Sequence, residues 1–155
     1  MSKSLSRGFD LACQCWEAGD LRKAFHLFLK VAKCGDVSSQ LNLAHFYYEG
    51  LGVKRNRKRG LYWLRKAAMA GYAPAATNIG AIYRSKKQYF KAIKWLQIAG
   101  DLGDGGAYYK LAVIYNEIVN DHQIAMEFLQ KAISSNFISE SNMEDAQHLL
   151  NELTT

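Results

Sequence analysis

The chain has 155 residues, 49% of them hydrophobic and 22% charged, a balance that supports a folded core and excludes low-complexity disorder. Its three cysteines, Cys13, Cys15 and Cys34, are too few and too clustered for a disulfide framework. No segment reaches the ~20 apolar residues of a membrane helix, and the stretch up to Trp16 has no apolar run long enough for a signal-peptide core, so a cytoplasmic protein with no membrane partner is expected.

The apolar residues then recur at helical spacing, broken by glycine or turn clusters. A first helix is predicted over about Leu5 to Ala18, with Phe9, Ala12 and Trp16 on one face, and a second over about Leu21 to Lys33, ending at Cys34-Gly35. The third starts near Val37 or Ser38 and carries Leu41, Leu43, Ala44 and Tyr47 to the turn Gly50-Leu51-Gly52-Val53. The fourth resumes around Arg57 and carries Gly60, Trp63, Leu64, Ala67 and Ala68 to Gly71. Pro74 falls in the first turn of the fifth, where its missing N–H costs nothing. The sixth follows the polar connection Ser85 to Gln88, carries Ala92, Trp95, Leu96 and Ala99, and is closed by Gly100 to Gly106. Ala107, Leu111, Ala112 and Tyr115 mark the seventh; Ala125, Phe128, Leu129 and Ala132 mark the eighth, with Asn136 expected in place of a glycine cap. The last, Ser141 to Leu153, opens with Ser141 and Glu144 spaced as a capping box and suits a helix that covers the end of a stack.

The pattern restarts. Small residues opening each second helix, Ala24, Gly60, Ala92 and Ala125, are spaced by 36, 32 and 33 residues, and Val31, Ala67, Ala99 and Ala132 follow at the same intervals. Between them stand Leu27, Trp63, Trp95 and Phe128. Small residues let two helices approach and a large one fills the space beside them, which is a packing rule rather than a catalytic one.

These residues resemble the Sel-one-like repeats (SLR), a subclass of tetratricopeptide-type helical repeats. The resemblance rests on Ala75, Ile79, Gly80 and Tyr83 in one first helix, on Leu43, Tyr47, Gly50, Gly52 and Val53 in another, and on Trp63, Ala67, Ala68 and Gly71 between them. It implies an all-α, right-handed α-solenoid of about four helix-turn-helix repeats in a single domain, 1–155. The repeats fall at about 6–36, 37–72, 73–104 and 105–136, with a C-terminal capping helix at about 141–153. It also implies a concave groove lined by the first helices and used to hold proteins or peptides. By register that groove takes Phe9, Cys13 and Trp16, then Leu41, His45 and Tyr48, then Thr77, Ala81 and Arg84, then Tyr109, Val113 and Asn116. Phe9, Trp16 and Tyr109 fit packing between neighbouring helices as well as they fit binding.

The net charge of +6 is unevenly spread. Residues 1–50 carry six basic and five acidic side chains, residues 51–100 twelve basic and none acidic, and residues 101–155 two basic and nine acidic. The densest run, Lys54, Arg55, Arg57, Lys58 and Arg59, is extended by Lys86 and Lys87. It is either a solvated loop, a docking patch for an acidic protein, a nucleic-acid backbone patch, or a surface for self-association with the acidic end.

No catalytic constellation, metal set or cofactor motif is present. Cys13 and Cys15 point to different helix faces and are expected as buried structural thiols, and His26, His45, His122 and His148 fall on four different helices. The expectation is a non-enzymatic adaptor or inhibitor, an antitoxin-like immunity protein being one instance, with electrostatic RNA or DNA binding as the alternative.

Overall fold

The computed structural model describes residues 3–154, which form nine α-helices, one π-helical turn and no strand. The chain divides into two compact units, Met1–Gly71 and Tyr72–Thr155.

Unit 1 holds α1 (Lys3–Glu17), α2 (Leu21–Lys33), α3 (Val37–Glu49) and α4 (Arg57–Met69), each packed on the next. In α2 the buried residues are Ala24, Phe25, Phe28, Val31 and Ala32, one stripe of a 3.6-residue helix facing its neighbours. Phe28 and Phe46 are fully buried with their rings 5.5 Å apart, and Ala12, Ala24, Ala32 and Leu43 are fully buried in the same unit. Burying such a phenylalanine stabilises the unit by about 1.5–3 kcal/mol. Helix starts are set by side-chain acceptors: Asp20, Asp36 and Asn56 receive the N–H groups of Lys23 (3.1 Å), Ser39 (2.6 Å) and Arg59 (3.0 Å). The turn after α3 docks on the start of α2, because Gly52 (φ +62°) lies against the Leu21 carbonyl, where a Cβ would collide with backbone.

Unit 2 holds α5 (Ala73–Ser85), α6 (Tyr89–Asp101), α7 (Gly105–Ile114), the π-helical turn Tyr115–Val119, α8 (His122–Ile133) and α9 (Glu140–Thr154). Sequential helices pack in pairs, and α9 rests on both α8 and α7. Ile79, Leu96, Leu111, Ile114 and Leu129 form the core, with alanines at the close approaches. Asp104 caps α7 through the Ala107 N–H (3.2 Å) and also accepts a 2.5 Å hydrogen bond from the Thr77 hydroxyl, tying α5 to α7.

Several local expectations are corrected. Gly105 and Gly106 are buried in the first turn of α7 and do not close α6, since side chains there would meet Ser135 and Asn142. α8 ends at Ser134 in right-handed conformation, and Asn136 is not a left-handed cap. That conformation is taken by Asn120 (φ +59°), which ends the π-helical turn with its N–H on the Tyr115 carbonyl. The cap of α9 is Ser139, whose hydroxyl accepts the Asn142 N–H at 3.3 Å, so Ser141 lies inside the helix.

Candidate functional site

In unit 1 the predicted residues of α1 and α3 meet through a ring cluster. The Trp16 ring lies 5.1 Å from Phe46 and 6.1 Å from Phe28, and Phe9 lies 5.9 Å from Phe28. Both Phe9 and Trp16 are half-buried, so they pack the stack with one edge and present the other. Exposed His45 stands 5.7 Å from the Trp16 ring, and Leu41 and Tyr48 are half-buried on the same helix at its turn-by-turn spacing. The Tyr48 ring covers Gly60, where a Cβ would come within 2.6 Å of it.

The basic run divides into two kinds of residue. Arg55 Nε donates to the Tyr48 carbonyl at 2.7 Å, and Arg59 lies over the Tyr47 ring at 5.8 Å while its guanidinium reaches the Tyr47 hydroxyl at 3.5 Å. The Asn56 N–H donates to the Tyr47 carbonyl at 2.8 Å. These bonds fix the turn. Lys54, Arg57 and Lys58 are exposed, with no ion pair among the described residues. A cationic surface held this way needs little ordering when a partner arrives.

In unit 2, Arg84, Tyr109 and Asn116 converge on one cavity of about 450 Å³, with Val113 in its lining. The sequence did not reveal the other side of it: Asp145, His148, Leu149 and Glu152 of α9, with Lys110 and Glu117. Their i, i+3, i+4, i+7 spacing is visible in the chain, but which face α9 turns inward is a tertiary matter. Arg84 lies 3.9 Å from Glu117 and His148 3.5 Å from Glu152. Burial raises the Tyr109 pKa, Asp145 and Glu117 raise it further, and Arg84 opposes them. Burial and the two carboxylates thus both favour the neutral phenol. Lys86 and Lys87 are exposed, and Lys87 forms the α5–α6 turn at φ +56° with its N–H on the Arg84 carbonyl.

The remaining histidines are locally engaged: His26 Nδ1 lies 2.7 Å from the Arg22 carbonyl and His122 Nδ1 2.7 Å from Asn116 Oδ1. Cys15 is buried, Cys13 half-buried and Cys34 exposed, so only Cys15 is the buried thiol expected of the pair. Among the described residues no group of three or more His, Cys, Asp or Glu is placed to hold a metal ion.

Residues 17–36, 37–72, 73–104 and 106–137 match the Sel1 repeat model. The chain belongs to the Sel1 repeat family. A Sel1 repeat protein from Oxalobacter formigenes matches its structure with a TM-score of 0.78 at 23% identity, over 98% of this chain and 66% of that one. A protective antigen of uropathogenic Escherichia coli with an SLR fold matches with 0.71 at 19% identity, over 97% and 38%. These likenesses show a shared helical-repeat fold. A sel1-like repeat-containing protein of Acanthamoeba polyphaga mimivirus is 29% identical over 113 residues, 68% of this chain and 21% of that protein. The Saccharomyces cerevisiae chitin synthase regulator SKT5 is 28% identical over 129 residues, 73% and 18%. The chain thus spans about a fifth of the length of either. Sel1 repeats are protein-interaction modules, generally without catalysis of their own.

Proposed function

We propose that this Sel1 repeat chain is a non-enzymatic, cytosolic adaptor or inhibitor that holds one protein partner with an acidic surface. The carrying observation is the fixed basic turn. Arg55 and Arg59 are committed to Tyr47 and Tyr48, while Lys54, Arg57 and Lys58 face solvent, and unit 1 has thirteen basic against five acidic side chains. Charges presented so steer association and select against basic partners. Trp16, His45 and Tyr48 supply apolar and aromatic contact area in the same unit, and the Arg84–Tyr109–Asn116 cavity supplies a second, mixed-charge contact in unit 2. A dedicated immunity protein is one form such an inhibitor takes.

Affinity capture from native lysate tests this. The wild-type chain is expected to retain a stoichiometric protein, which K54E/R57E/K58E releases and Trp16→Ala with Tyr48→Ala weakens. Because Trp16 also packs on Phe28 and Phe46, His45→Ala serves as the variant that spares the core. Capture unchanged by the charge reversal would refute the acidic-partner assignment.

A further inference from the structure

The outward face of α4 shares Lys58 with the basic turn and is otherwise used by neither that turn nor the groove. Its core side buries Gly60, Trp63, Leu64, Ala67 and Ala68. Its other side presents Lys58, Tyr62, Lys66 and Met69 at i, i+4, i+8 and i+11, with Arg65 alongside, and neither α4 nor α2 contains a carboxylate. Tyr62 is 58% and Met69 85% exposed. Large apolar side chains thus stand out of a field of cations instead of forming a separate apolar face.

One repeat later α6 is built the same way within unit 2. Phe90 is 74% and Ile98 41% exposed, with Lys94 between them and its amine 4.7 Å from the Phe90 ring. With a register shift of 32 residues, Lys58 corresponds to Phe90, Tyr62 to Lys94 and Lys66 to Ile98. Cation and apolar residue exchange places at these three positions, while the fourth, Met69, corresponds to Asp101, so only the α4 face is free of carboxylate.

Such a face suits a surface that offers negative charge and a shallow apolar layer together. An anionic bilayer does so, with headgroup phosphates outside and the acyl boundary a few ångströms deeper. Nucleic acid supplies the phosphates and a base to stack on the Tyr62 or Phe90 ring, but it offers no apolar layer to the aliphatic Met69 and Ile98. We propose that the outward face of α4 adsorbs peripherally to an anionic phospholipid bilayer, Lys58 and Lys66 meeting the headgroups while Tyr62 and Met69 enter the headgroup–acyl boundary. No helix among the described residues is long and apolar enough to cross a membrane, and adsorption requires none. The expectation of no membrane partner came from the lack of a span and of a signal-peptide core, neither of which bears on adsorption.

The test is co-sedimentation of the full chain with vesicles of phosphatidylcholine, or of phosphatidylcholine with about one third phosphatidylglycerol. Binding is expected only to the anionic vesicles, and to fall as salt rises. Tyr62→Ser with Met69→Ser leaves the net charge unchanged and should lower partitioning about tenfold. Lys58→Gln and Lys66→Gln should each lower it about fivefold. All four positions are exposed, and circular dichroism checks that the variants fold. Equal binding of the Tyr62/Met69 variant and the wild type would reduce the effect to nonspecific attraction of a basic protein and overturn the proposal. So would binding to neutral vesicles alone. Tight binding of a mixed-sequence single-stranded oligonucleotide that is lost in the same variant would assign the face to nucleic acid instead.

Discussion

Gly60 is where the repeat pattern would place alanine, and the Tyr48 ring occupies the space that an alanine methyl would need. Gly60→Ala is therefore expected to push Tyr48 off α4 and destabilise the chain by about 1–3 kcal/mol, despite the better helix propensity of alanine. Thermal melting checks the stability, and the partner's affinity should fall with it. The sequence showed Gly60 only as a departure, because its reason lies on another helix. Tyr109 is the second informative residue. Its raised pKa means that the folded state holds the phenolic proton more tightly than the unfolded state does. Its contribution to stability is whole below the ordinary tyrosine range and is lost as pH rises from that range through the raised folded value. Ultraviolet titration, with Tyr109→Phe subtracted, should place its midpoint above that of a free tyrosine. Asp145→Asn should bring the midpoint down and Arg84→Ala should move it up.

At the scale of elements, capping explains much that composition could not. Asp20, Asp36, Asp104 and Asp121 all receive a backbone N–H at a helix start, so these carboxylates fix helix ends as well as contributing charge. Asp36 is buried and its bond from Ser39 is 2.6 Å, whereas Asp20 is exposed with a 3.1 Å bond. Asp36→Ala should cost about 1–2 kcal/mol and Asp20→Ala less, a difference that urea unfolding of the two variants would show. Apolar periodicity made the helices legible to within a few residues of each end. It missed the π-helical turn at Tyr115–Val119 and chose Ser141 over Ser139 as the start of α9. A widened turn keeps the apolar spacing on either side of it, and Glu144 three residues after Ser141 completes the capping box that Asn142 does not complete for Ser139.

On the scale of the whole molecule, charge and packing are unevenly distributed. Unit 1 carries thirteen basic and five acidic side chains and unit 2 seven basic and nine acidic, so the basic excess belongs to unit 1. Helices touch chiefly their neighbours in sequence, as in repeat arrays where each element is supported by the next. In unit 2, α9 buries only Ala146 completely and rests on α7 and α8. Hydrogen exchange in α9 is therefore expected to be faster than in α7 and α8, measured peptide by peptide by mass spectrometry. Protection of α9 equal to theirs would show that the cavity wall is as firmly held as the core.

By itself the sequence determined the repeat, its period and the helical class, because small and large residues recurring in phase admit one kind of packing. It also marked Trp16, His45, Arg84 and Tyr109 as residues to examine. Only the tertiary structure decided what they do: that Trp16 divides itself between the core and His45, that α9 completes the cavity around Tyr109, and that two arginines of the basic run hold a turn while its other cations face outward. The reason is physical. Periodicity specifies which face of a helix is buried, but the partner across that face is set by contacts between residues distant in the chain.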